Sequence, residues 1–177
     1  MNSDRMKSTI AGLALLAMFV GIFLLTSREA DSASVAEGKF RVTVDDVTSG
    51  GDYFVRRLKF RVNRASGIRL RLGDAGESWM SLRDRPTRED GIVEANVVLM
   101  CDMGHALEGD QRWVTWLQQI TSAQGMAGGP SRYPVPSDTK MENLVTLNIT
   151  EGEYNVGHPL TLGQFQNEPI VVTVERQ

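Results

Sequence analysis

The stretch VVLMCDMGHAL, residues 97–107, holds the only cysteine of the chain, two methionines and one of the two histidines. A thiolate, a thioether and an imidazole are the donors that suit copper, above all Cu(I). Cys101, Met103 and His105 are the residues such a site would use, and no other cofactor is suggested. The same stretch also reads as the end of a buried strand. In VEANVVLMC, residues 93, 95, 97, 99 and 101 are Val, Ala, Val, Leu and Cys, so one face is wholly apolar. Strand side chains alternate between faces. Cys101 therefore falls on a core face and Met100 on the opposite one, while Met103 and His105 lie past the strand end, flanking Gly104. A thiol embedded among valine and leucine has its pKa raised, which works against metal binding. The reading preferred here is core plus turn, with soft-metal handling by Cys101, Met103 and His105 as the alternative.

That stretch sits in a chain whose dominant pattern is period two. KFRVTV sets Phe40, Val42 and Val44 against Arg41 and Thr43; LKFRV sets Leu58, Phe60 and Val62 against Lys59 and Arg61; IRLRL sets Ile68, Leu70 and Leu72 against Arg69 and Arg71. LVTLNI and PIVVTVER follow later. Such alternation marks strands with one face in a core and the other in water. TSGGD, NRASG, GDAGE, TEGE and QNEP punctuate the runs as turns. The expected fold is all-β, an antiparallel β-sandwich-like domain. Two stretches resist this pattern. In 111–120, Trp113, Trp116, Leu117 and Ile120 have helical spacing, but the surrounding alternation favours a strand, buried on both sides. The glycine- and proline-rich residues 121–138 read as a long loop, a type that is often functional. Asn148-Ile149-Thr150 matches a glycosylation acceptor inside an alternating strand.

Ahead of the domain, Arg5 and Lys7 precede Ile10–Leu25, sixteen residues with no charge or strongly polar side chain. As a helix this run spans about 24 Å, and with its flanking Ser and Thr residues it approaches a hydrocarbon core of about 30 Å. The expected organisation is one N-terminal hydrophobic helix over 1–27, acting as signal anchor or signal peptide. A flexible tether follows over 28–37, then the β-sandwich domain over 38–177. Both forms of the leader put the domain outside the cytoplasm, since the cations stay inside. The chain is expected to face the periplasm or cell exterior, membrane-anchored through Ile10–Leu25 or secreted.

Charge is unevenly spread along the chain. Nine cations and three acids lie between Lys39 and Leu72; seven cations and fifteen acids follow. Arg41, Lys59, Arg61, Arg69 and Arg71 all alternate with core residues. Neighbouring strands would gather them into a face for an anionic partner, either anionic lipid or polysaccharide. Otherwise the acids of the second half sit across from them as weak surface pairs. Nucleic acid is not expected, because no aromatics interleave with these arginines as single-strand binding needs. GxSxG, GxxxxGK and GxGxxG are absent from the sequence, and two histidines leave little for a triad. Trp79 alternates away from Met80 and shares its face with Ser81, which leaves room for an exposed sugar-stacking platform, although a tryptophan in a small sandwich is more often core. The expectation is a binding or structural module of a cell envelope, engaging an envelope protein, lipid or polysaccharide, and not an enzyme.

Overall fold

A computed structural model of the chain describes residues 34–176 apart from 75, 84–90, 109 and 124, with the side chains of Asp46 and of residues 105–108 also outside the description. The expected apolar helix and the tether up to Ala33 lie outside the described residues.

Among the described residues, eleven strands form two sheets in which every pairing is antiparallel. In chain order they are β1 (Lys39–Ser49), β2 (Tyr53–Asn63), β3 (Gly67–Leu72), β4 (Gly76–Ser81), β5 (Ile92–Glu108), β6 (Gln111–Ser122), β7 (Gly125–Pro136), β8 (Val145–Leu147), β9 (Gly152–Asn155), β10 (Pro159–Phe165) and β11 (Glu168–Glu175). One helical turn, α1 (Met141–Leu144), precedes β8. The first sheet has the order β7-β6-β5-β2-β1-β9 and the second β4-β3-β11-β10-β8. The chain lays down β1 and β2 in the first sheet, crosses to the second for β3 and β4, and returns for β5 to β7. β8 then lies in the second sheet, β9 in the first, and β10 and β11 together in the second.

The alternating residues meet where the sheets face each other. Phe40, Val42, Leu58, Phe60, Val97, Leu99, Val114 and Ile120 come from the first sheet. Ile68, Leu70, Leu162, Ile170, Val172 and Val174 come from the second, and all are fully buried. Each such side chain contributes about 1.5–3 kcal/mol through removal from water, so the period-two pattern itself drives the sheets together. The turn motifs fall between the strands as expected. QNEP closes β10 onto β11 with Gln166 at φ 49° and Asn167 at φ 68°. Two consecutive positive φ values match the right-handed twist of the strands they join.

Four sequence expectations need revision. Residues 111–120 do form a strand, but one face only is core: Val114, Trp116, Gln118 and Ile120 are buried, whereas Trp113 is 38% exposed. Residues 125–136 are not a loop. They are an edge strand paired along its whole length with β6. Pro130, Pro134 and Pro136 share one parity, which an edge strand tolerates because alternate N–H groups point away from its only neighbour. β5 continues to Glu108, so Met103 lies inside the strand, opposite Val114, rather than in a turn beyond it. Asn148 lies just past β8 and is exposed, so the glycosylation motif is outside the strand.

Gly163 marks a place where a side chain would break the second sheet. A bulge between Thr161 and Gly163 brings β8 so close that a Cβ there would collide with the Thr146 carbonyl oxygen. Gly51, in the β1–β2 turn, has nothing within 4 Å of a Cβ. Gly163→Ala is expected to cost more than about 1 kcal/mol, while Gly51→Ala stays near neutral; urea denaturation midpoints of the two variants check this.

Candidate functional site

The five predicted cations do not form one continuous face. Arg41 and Arg61 are direct cross-strand partners on β1 and β2, with Lys59 beside them opposite Thr43 and Asn96. Arg69 and Arg71 lie on β3, in the other sheet. The core lies between the sheets, so the two groups point away from each other. Acids of the second half sit across from several of them. Arg41 pairs with Glu153 on β9, and Arg61 approaches Glu94 on β5 at 3.3 Å. Arg61 is also only 3% exposed, not the solvated cation expected from alternation.

The more organised group is on the outer face of the second sheet. The register there runs Trp79–Arg69–Thr173–Pro159 in one row and Glu77–Arg71–Val171–Thr161 in the next, crossing β4, β3, β11 and β10. Arg69 bridges two carboxylates, Glu77 on β4 and Glu175 on β11, the latter at 2.7 Å. The indole Nε1–H of Trp79 donates to the other Glu175 oxygen at 2.8 Å. That hydrogen bond, followed by those from Arg69 and its charge, holds the Glu175 carboxyl below the usual carboxylate range against the opposing effect of burial. The Arg69 guanidinium is in turn held above its ordinary value, first by the hydrogen bond to Glu175.

Gly67 explains the position of the indole. A Cβ on Gly67 would sit 2.9 Å from Trp79 Nε1 and 3.1 Å from Cε2. The pyrrole edge of Trp79 therefore rests over bare backbone of β3, anchored at its nitrogen, while the ring as a whole stays 46% exposed. The result is an aromatic surface fixed in place by a hydrogen bond and flanked by a guanidinium and two carboxylates, with Thr173 in the same register row. Sequence reading had Trp79, Arg69 and Arg71 but missed Glu77, Glu175 and Gly67. Glu175 is 96 residues from Trp79, and only the β3–β11 register makes them neighbours.

The sulfur residues are arranged otherwise. Cys101 and Met103 share the core face of β5, and Cys101 is 0% exposed. Burial, then the charge of Asp102, pushes the Cys101 thiol up to about 12. A protonated, sealed thiol is a packing group rather than a ligand. The side chain of His105 lies outside the described residues. No protein-family model, curated protein or solved structure matches this chain.

Two outcomes follow from this chemistry. Cys101 should react with a thiol reagent at neutral pH only after denaturation; stoichiometric labelling of the native protein would contradict its burial. Glu175 has a depressed pKa, so the stability it contributes is complete above the ordinary glutamate value of about 4.3 and is lost as pH falls through the lower folded value. Acid melting of Glu175→Gln should therefore lack part of the loss that the native chain shows below that pH, as read by thermal midpoints across the acid range.

Proposed function

We propose that this chain is an extracytoplasmic binding module of a cell envelope, delivered by its apolar leader, which engages an envelope polysaccharide through the outer face of the second sheet. The observation that carries the reading is the exposed Trp79 ring held over Gly67 and tied through Nε1 to Glu175. A rigid aromatic surface offers contact area at little cost in side-chain entropy, and the C–H face of a pyranose ring is the apolar partner it suits. Arg69 and Glu77, with Thr173 in the same row, supply donors and acceptors for sugar hydroxyls.

Two features favour binding over hydrolysis. Glu77 and Glu175 are both committed to Arg69, and Glu175 is held ionised, the opposite of what a general acid needs. The charge balance further favours a polymer of low charge. Arg69 is already neutralised by two carboxylates, and Arg41 and Arg61 face acids of their own. An anionic lipid or polyanion, the expectation from the arginine count, would find less free charge than the sequence suggests.

Retention of the full-length chain on insoluble neutral polysaccharide tests the reading. Trp79→Ala should weaken retention by about tenfold or more, the scale of an aromatic hot spot, while raised salt leaves it largely unchanged. Retention that is indifferent to Trp79→Ala, or that vanishes on adding salt, would overturn it.

A further inference from the structure

Immediately inside the Trp79 face, the two sheets part between their edge strands β4 and β7 and leave a cleft of about 220 Å³. Its lining combines the ring edges of Trp116 and Tyr133, the side chain of Leu72, and the polar groups of Ser78 and Gln118, with Glu77 at the rim. Ser78 and Gln118 occupy core-facing positions of β4 and β6 where the pattern elsewhere places Val, Leu or Ile, and they are only 6% and 7% exposed. Polar groups buried this far cost free energy unless something pairs with them.

The orientation of each is set by the structure. Trp116 Nε1–H donates to Gln118 Oε1 at 3.4 Å, which turns the amide nitrogen to the other side. Nε2 lies beside Gly76 on the cleft wall, 3.8 Å from where a Cβ would be. Ser78 Oγ lies against Gly128, 2.6 Å from the corresponding point there. Glycine at 76, 128 and 129 keeps the walls low. The cleft thus presents an amide N–H donor, a hydroxyl that can accept, and apolar ring edges. The volume is below the roughly 300–1,000 Å³ of drug-sized pockets, so it admits one small group and not a chain.

We propose that this cleft receives the acetamido group of an N-acetylated amino sugar. The inference rests on the polysaccharide reading above and names the sugar. The acetamido oxygen accepts from Gln118 Nε2, its N–H donates to Ser78 Oγ, and its methyl lies against Leu72 and the aromatic edges. Glu77 at the rim disfavours a carboxylate in the same position. Trp79 is two residues along β4 on the outer face, so one sugar ring on Trp79 and the acetamido group of a neighbouring residue in the cleft lie on opposite sides of a single edge strand.

The test compares three trimers of one linkage: β-1,4-linked N-acetylglucosamine, its deacetylated glucosamine form, and glucose. Affinities for the full-length chain are read by titration calorimetry. The acetylated trimer should bind at least about tenfold tighter than the other two, the scale of one or two buried hydrogen bonds. Ser78→Ala and Gln118→Met should remove that preference and leave the affinity common to all three. Gly129→Val keeps the test decisive if those core changes unfold the chain. A Cβ at Gly129 meets nothing within 4 Å, so the side chain fills the cleft from the β7 side and should likewise erase the preference. Equal binding of all three trimers, each dependent on Trp79, would overturn the acetamido assignment alone. An N-acetylated dipeptide that competes as well as the acetylated trimer would overturn the sugar in favour of a peptide. Binding of none of the trimers would overturn both this inference and the polysaccharide reading.

Discussion

The stack of Trp116 on Phe165 is the contact on which the two sheets depend. The rings belong to opposite layers, β6 and β10, and lie 4.6 Å apart at 22°. Tyr133 on β7 meets the same Phe165 edge-on at 5.3 Å, and Phe54 on β2 tilts against Trp116 at 6.1 Å. Aromatic pairs of this kind add about 0.5–1.5 kcal/mol each beyond the area they bury. They join β6 and β7, at one end of the six-stranded sheet, to β10 of the five-stranded one. The same Trp116 orients Gln118 through its indole nitrogen. The packing that closes the sandwich thus also sets the chemistry of the opening beside it.

Much of the core was legible in the sequence because it rests on the shortest-range rule of sheet structure. Phe40, Val42, Leu58, Phe60, Ile68 and Leu70 alternate with charged or polar residues, and all are buried. Cys101 was placed correctly by parity alone. What could not be read depends on partners far along the chain. β7 escaped because Gly and Pro lower strand propensity, yet here twelve residues pair with β6, and packing supplies what propensity lacks. Met103 reads as part of a turn because Asp102, Gly104 and His105 look like a strand end, whereas the strand continues through an irregularity between Met103 and Leu107. Of the candidate face, Trp79 and Arg69 were in view, but the register that delivers Glu175 to both was not.

The split in charge along the chain also acquires a physical meaning. The cation-rich first strands are not left facing one another alone. β9 brings Glu153 to Arg41, β5 brings Glu94 to Arg61, and β11 brings Glu175 to Arg69. Single pairs of this sort stabilise by only about 0.2–1 kcal/mol where exposed. Their larger effect is on register, since a slip of one residue would turn the arginines into the core.

The prolines of β7 have one more consequence. An open sheet margin is a template on which a foreign strand can assemble, and natural proteins blunt such margins against aggregation. Pro130, Pro134 and Pro136 carry no N–H to offer along that margin, and Gly128 and Gly129 present no side chains for an incoming strand to pack on. The longest margin of the six-stranded layer therefore offers a foreign strand an interrupted ladder, with donors missing at three of its alternate positions.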